Sequence, residues 1–168
     1  MLLSAIDILK KCVERTDFGL QKRFNKTEPF IHFESGYSNT IVNSITQLAN
    51  GMDPYPIIAV FTEGLKENYS KGNSFIEFNV PKISIAIRTV DDLTESQRLE
   101  TSFKETLYPI FDEFSKQLKK VNFSYDVQIS KSDIPYYNES NGTANTFNDK
   151  LDGIVIKDLK MKVSLKHC

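Results

Sequence analysis

The chain has 168 residues, of which 40% are hydrophobic and 26% are charged. These proportions are typical of a globular domain with one sizeable core, and they exclude a chain that is disordered throughout. The formal net charge of -1 excludes a general electrostatic attraction to nucleic acid or to anionic membranes.

The first element is an amphipathic helix over residues 2–13. Its apolar stripe comprises Leu2, Leu3, Ile6, Leu9 and Val13. Ile8 falls off this stripe. Asp7 interrupts the apolar residues and the lysines follow them, which does not fit a secretory signal peptide. No apolar run of about 18 residues occurs elsewhere, so we expect a soluble protein without a membrane span.

A strand, a helix and a buried strand come next. Residues 18–29 are predicted to be a loop, and residues 30–33 a short strand that ends at Ser35 and Gly36. The second helical pattern consists of Ile41, Val42, Ile45, Leu48 and Met52. The continuous apolar run from 57 to 61 predicts a strand that is buried on both faces.

Residues 63–74 are polar and predict a long hairpin loop before a long strand over 76–88. We expect this loop to be mobile in the free protein and to order against a partner, with Lys66 and Tyr69 as candidate assembly contacts. The apolar parity of the following strand changes at Pro81 and Lys82, which predicts a β-bulge.

Residues 91–120 give the strongest helical pattern. Thr94 and Gln97 fit a capping box, and Pro109 should kink the helix or divide it after Leu107. The apolar stripe comprises Leu99, Phe103, Leu107, Ile110, Phe111, Phe114 and Leu118. The basic group at the helix end consists of Lys116, Lys119 and Lys120. We favour its role as a complement to the helix dipole over a basic binding patch.

The C-terminal third predicts two strands around a long polar stretch. The first strand is indicated by alternation at Val121, Phe123, Tyr125, Val127 and Ile129. Residues 130–150 exceed the usual loop length and should order on assembly, with Tyr136 and Tyr137 either contacting a partner or pinning the loop to its own domain. The last strand, over 154–165, changes parity around Lys157 and Asp158, which predicts a bulge or a tight turn.

This order of elements predicts one α+β domain spanning residues 1–168. We expect a mostly antiparallel or mixed β-sheet of about five strands, with helices packed on one face. No linker or internal repeat divides the chain.

Motifs for chemistry are scarce. The glycines form neither a nucleotide-binding loop nor a nucleophile elbow. His32 is interpreted as an ordinary half-buried histidine, with a catalytic or ligand-binding role as the alternative. Cys12 is interpreted as a core residue, and no C-x-x-C pair indicates zinc. The acidic pairs are assigned to a helix start, a solvated helix face and a polar loop that contains Asp152. We therefore expect no catalytic residue, no cofactor and no metal.

Four features, in order, resemble a known family. They are the proline-led strand over 55–61, the strand over 83–89, the helix segment Leu107-Tyr108-Pro109-Ile110-Phe111, and the ending over 151–163. Together they resemble the tail terminator family of long-tailed bacteriophages, in the version found in prophages of Bacteroidetes-type bacteria. The Tyr-Pro inside the helix is the most specific of them.

The resemblance implies a non-catalytic protein that forms a six-membered ring. Its partners would be further copies of itself, the tail tube protein and the head–tail connector protein. It would be found in the host cytoplasm during assembly and then in the virion tail. The alternatives are a head-closure or adaptor protein of the same particle, and a small-ligand-binding or enzymatic domain with a pocket near His32.

Overall fold

The chain folds as a six-stranded mixed sheet with helices packed against it. The structure is a computed structural model, and it describes residues 3–48, 53–90, 92–124, 126–135 and 150–165. The elements are α1 (Ala5–Leu20), β1 (His32–Gly36), α2 (Ser38–Leu48), β2 (Ile57–Phe61), β3 (Lys66–Tyr69), β4 (Phe75–Arg88), α3 (Glu95–Arg98), a π-helix (Leu99–Leu107), α4 (Tyr108–Val121), β5 (Ser130–Ile134) and β6 (Leu151–Ser164).

The strand order is β1-β2-β4-β6-β5, and β3 pairs with the first half of β4. Only β1 and β2 run parallel, and every other described pair is antiparallel. The predicted α+β class and mixed sheet are therefore confirmed. The sheet has six strands instead of about five, because the polar segments 63–74 and 130–150 each contribute a short strand and the strand predicted over 121–129 does not form.

The two faces of the sheet are covered by different helices. Ile58 and Val60 of β2 join the core formed with α1 and α4, whereas the other β2 side chains pack with Ile41 and Ile45 of α2. The expectation that all helices lie on one face is therefore wrong for α2. The physical reason lies in β2, whose five residues are all buried and need apolar cover on both sides.

Strands β4 and β6 form a 14-residue ribbon whose apolar faces change together. The pairs Val80–Leu159 and Lys82–Lys157 belong to one register, so Pro81 lies opposite Asp158. Asp158 has a φ of 51°. Residues of β4 and β6 stay opposite each other one to one on both sides of Pro81 and Asp158. The predicted changes of apolar parity therefore occur at the same level in both strands, without a shift of register.

Helix α1 is longer than predicted, and its buried face is rotated. A capping box between Ser4 and Asp7 starts the helix at Ala5. The buried residues are Ala5, Ile8, Leu9, Cys12, Val13, Thr16, Asp17 and Leu20. Ile8, which lay off the predicted stripe, is thus a core residue. The C-terminal half escaped prediction because polar side chains occupy part of its buried face.

Those polar side chains are buried because each is hydrogen-bonded. The hydroxyl of Thr16 donates to the Cys12 carbonyl at 2.8 Å. The Asp17 carboxylate accepts the backbone N–H groups of Phe30 and Ile31 at 2.8 and 2.6 Å. Asp17 therefore fixes where the chain enters β1.

The long helical rod begins at the predicted capping box, in which both the Thr94 and Gln97 hydrogen bonds are present. Its middle is π-helical, and α4 has Pro109 in its first turn. The change of helix type after Leu107 confirms the predicted division. Buried residues of the π-helical part recur every four to five positions, so Leu99 is 41% exposed although the 3.6-residue period placed it in the core.

The strand predicted over 121–129 is wrong. Val121 is the last residue of α4, and Asn122 forms only an isolated bridge with Val163. The Asn122 side-chain oxygen accepts the Lys162 N–H at 2.8 Å, and the Phe123 N–H donates to the Lys162 carbonyl. These bonds occupy the backbone N–H and carbonyl of Lys162 at the edge of β6. Regular strand pairing with β6 begins only at Ser130.

Candidate functional site

The structure places two of the four candidate assembly contacts on one edge strand. Lys66 and Tyr69 are the ends of β3, which interrupts the predicted mobile loop and pairs with β4. That loop prediction is therefore wrong for residues 66–69. Because side chains alternate along a strand, Lys66 and Tyr69 project to opposite faces of the sheet. Tyr136 and Tyr137 lie outside the described residues.

Tyr69 lies beside the start of α1. The neighbouring Glu67 carboxylate accepts the Ala5 N–H at 2.6 Å and so joins β3 to that helix. Partial burial, and then the adjacent Glu67 charge, raise the pKa of the Tyr69 phenol. With 39% of its surface exposed, Tyr69 still offers an apolar ring and a protonated hydroxyl to a partner.

Lys66 belongs to a polar surface on the face that no described helix covers at this level. It lines a concavity of about 390 Å³ together with Asn68, Glu77 and Lys162. Glu77 and Lys162 form an exposed ion pair at 2.9 Å across β4 and β6. This outer surface is charged, shallow and open, which suits a protein contact better than an enclosed small ligand.

The opposite side of the sheet ends at β5, and Tyr108 fastens this strand to the helical rod. The Tyr108 hydroxyl donates to Asp133 at 2.7 Å, and the Lys131 ammonium bonds the same carboxylate at 2.7 Å while lying 4.6 Å from the centre of the Tyr108 ring. The hydrogen bond to Asp133, partial burial and the Asp133 charge raise the pKa of Tyr108 to about 12. The Tyr-Pro of the helix thus has a structural role.

This raised pKa makes the contribution of Tyr108 to stability dependent on pH. The unfolded phenol ionises near pH 10, whereas the folded one keeps its proton until about pH 12. The contribution is therefore fully present below pH 10 and is lost as the pH rises towards 12. We expect Tyr108→Phe to destabilise the protein by about 0.5–1.5 kcal/mol at neutral pH. Urea unfolding should show this difference shrinking above pH 10, and a constant difference would contradict the assigned hydrogen bond.

Asp152, an acidic residue that the sequence placed in a polar loop, forms a buried ion pair instead. It lies fully buried in β6, and both of its carboxylate oxygens accept from Arg98 Nη1 at 2.8 Å. Arg98 also donates to Thr89 Oγ1 at 2.6 Å and to the Val90 carbonyl at 3.2 Å. The pair is closed to solvent, with side chains 3% and 0% exposed, so it holds the rod onto β6.

His32 and Cys12 also occupy structural environments. His32 is half-buried, as predicted, and its Nε2 lies 3.2 Å from a Glu34 carboxylate that also accepts from Ser44. Cys12 is fully buried, so a substrate cannot reach its sulfur.

Two kinds of feature are absent from the described part of the chain. None of its helices has the length and apolar character needed to cross a membrane. Nor do its His, Cys, Asp and Glu side chains form a group of three or more placed to hold a metal ion. Compared with models of protein families and with curated proteins, the chain matches none.

Proposed function

We propose that this chain is a structural assembly protein that caps the tail tube of a phage or phage-like particle as a ring and joins it to the head connector. The resemblance of its proline-led strand, long strand, Tyr-Pro helix and ending to tail terminators is one support. The structural observation that carries the proposal is that the sheet has open strand edges on two sides, with different sequences. Within the described residues, β1 pairs with β2 alone, β3 pairs with β4 alone and β5 pairs with β6 alone.

Open edges supply what a ring subunit needs. An unpaired strand edge is a template for another chain, because its N–H and C=O groups lack partners. A head-to-tail contact between two different surfaces closes into a ring when its rotation permits. The edge strands β3 and β5 are short and polar, which limits uncontrolled pairing and favours a partner that matches their side chains.

Two of the four candidate contacts lie on one side of this subunit, since Lys66 and Tyr69 are on the β3 edge. Tyr136 and Tyr137 follow β5 in the sequence and lie outside the described residues. We assign both sets to contacts with other copies or with the tube.

End binding on isolated tubes tests the proposal. Tubes assembled from the tail tube protein would be mixed with gold-labelled chain and viewed by electron microscopy. We expect label at one end of each tube, saturating at a ratio that does not depend on tube length. The double variant Lys66→Glu/Tyr69→Ala should occupy fewer ends, whereas Lys26→Glu, at an exposed loop position, should behave as wild type. Label along the walls, or no label, would contradict tube capping.

A further inference from the structure

A basic groove with an apolar floor lies along the C-terminal end of the helical rod. It has a volume of about 530 Å³ between α4 and residues 127–129. Phe111, Val127 and Ile129 form its floor, and its rim consists of Asp112, Lys116, Lys119 and Lys120. Lys116 pairs with Glu113 at 3.2 Å. Lys119 and Lys120 form no ion pair within the described residues, so their charges face the groove and solvent.

One wall of this groove contains a polar group without a partner. Ser115 is only 9% exposed, and no described atom forms a hydrogen bond with its hydroxyl. A buried hydroxyl without a partner is unfavourable, and a polar group of a docked second copy that reached the Ser115 hydroxyl would remove this cost. The groove therefore combines apolar surface, positive charge and a hydrogen-bonding group.

The opposite end of the same rod has complementary chemistry. Asp92 and Glu95 are exposed acidic residues at the start of α3. Beside them the apolar side chains of Val90 and Leu99 are 58% and 41% exposed. The Arg98 hydrogen bond to the Val90 carbonyl holds this acidic end against the buried ion pair. We call this acidic end the knob: it presents exposed apolar side chains and negative charge on a backbone that the Arg98 hydrogen bond holds in place.

We infer that the acidic end of one copy docks into the basic groove of the next copy. The inference rests on the proposed ring, in which neighbouring copies meet head to tail, and it adds a contact between their rods to the one assigned to the sheet edges. The two surfaces lie about 36 Å apart, given roughly 1.5 Å per helical residue between Glu95 and Lys119. They therefore cannot meet within one chain. Val90 and Leu99 would cover the apolar floor while Asp92 and Glu95 approach Lys119 and Lys120.

This contact explains two exposed features of the rod together. Leu99 is turned outward by the π-helical spacing, and docking would remove it from water. The lysine-rich helix end would gain opposite charges in addition to its favourable position at the negative end of the helix dipole. Because the charges are exposed, the attraction should set partner choice and weaken with salt.

Charge reversal of the full-length chain tests the contact. The groove variant is Lys119→Glu/Lys120→Glu, the knob variant is Asp92→Lys/Glu95→Lys, and the control is Lys26→Glu/Lys71→Glu at exposed loop positions. Sedimentation velocity would be measured over a range of concentrations at low and high salt. We expect wild type and control to associate at low salt. Each of the other variants alone should sediment as a monomer.

Mixing the two variants provides the sharpest result. The acidic groove of one accepts the basic knob of the other, and the remaining pair of surfaces has the native charges, so an equimolar mixture should associate again. A wild type that stays monomeric at every concentration, variants that associate normally, a control that fails, or a mixture that stays monomeric would each overturn the inference. A groove variant that loses end binding on tubes but still self-associates would show that the groove serves another protein.

The two proposals fail separately. Charge-dependent association without end binding on tubes would reject the tail function and keep the contact between copies. End binding that is unaffected by either reversal would keep the function and reject this contact.

Discussion

Asp152→Asn is expected to lower the free energy of unfolding by about 3–5 kcal/mol, because it removes the carboxylate charge that pairs with the buried Arg98 guanidinium. The two side chains are 3% and 0% exposed, so water cannot solvate the guanidinium once the carboxylate is neutral. The amide can still accept one hydrogen bond, but it carries no charge. Urea unfolding followed by circular dichroism measures the loss.

Two controls separate the charge effect from general damage. Lys104→Ala breaks an exposed ion pair with Glu100 and should change stability by less than about 1 kcal/mol. The double variant Arg98→Met/Asp152→Leu removes both charges and should recover much of the loss. An Asp152→Asn protein as stable as wild type would mean that the pair is hydrated and does not hold the rod to β6.

Phe114→Ala should cost about 3–5 kcal/mol, the usual range for truncating a buried aromatic residue. Phe114 is 0% exposed in the core between the rod and the sheet. Phe111 lies three residues before Phe114, is only partly buried and lines the basic groove. Phe111→Ala should therefore cost clearly less. Both costs are measured as shifts in the urea midpoint at unchanged slope.

The exposed neighbour Lys116 provides the comparison for this pair. Lys116→Ala should change stability by less than about 1 kcal/mol, since its ion pair with Glu113 is at the surface. Equal and small shifts for Phe114→Ala and Lys116→Ala would refute the docking of α4 on the sheet.

Strong local signals predicted much of the fold. The all-apolar run of β2 indicated a strand buried on both faces, and the Thr94–Gln97 capping box marked the start of the rod. A strand that is buried on both faces also requires a helix on each face of the sheet. The prediction that all helices pack on one face did not take this into account. Alternation along β4 gave one buried face correctly, including its change at Pro81, but it did not indicate that Ser84 and Ala86 on the other face are buried as well.

Failures occurred where polar contacts or helix type overrode the apolar pattern. Leu99 fits a 3.6-residue stripe, but the π-helix changes the period and turns it outward. The alternating residues after Val121 suggested a strand, but Asn122 bonds the edge of β6 instead. Asp152 was placed in a polar loop, and its burial depends on Arg98, 54 residues earlier in the chain, which no local pattern indicates.

The candidate site was predictable only in part. Lys66 and Tyr69 do lie at a free edge, but the segment around them forms a strand. The basic group at the end of α4 was interpreted as a complement to the dipole, and the groove became visible only when residues 127–129 were placed beside it. The complementary chemistry of the two rod ends depends on the length of the rod and on its position in the fold. Neither can be read from the composition of the sequence.

Deletion of the gene in its native prophage, followed by electron microscopy of induced lysates, tests the central claim most directly. The account predicts overlong tails, or tails that never join heads, with normal particles restored by the wild-type chain. Tails of normal length beside filled heads that leak DNA would assign the chain to head closure. Wholly unaffected particles would contradict the structural role.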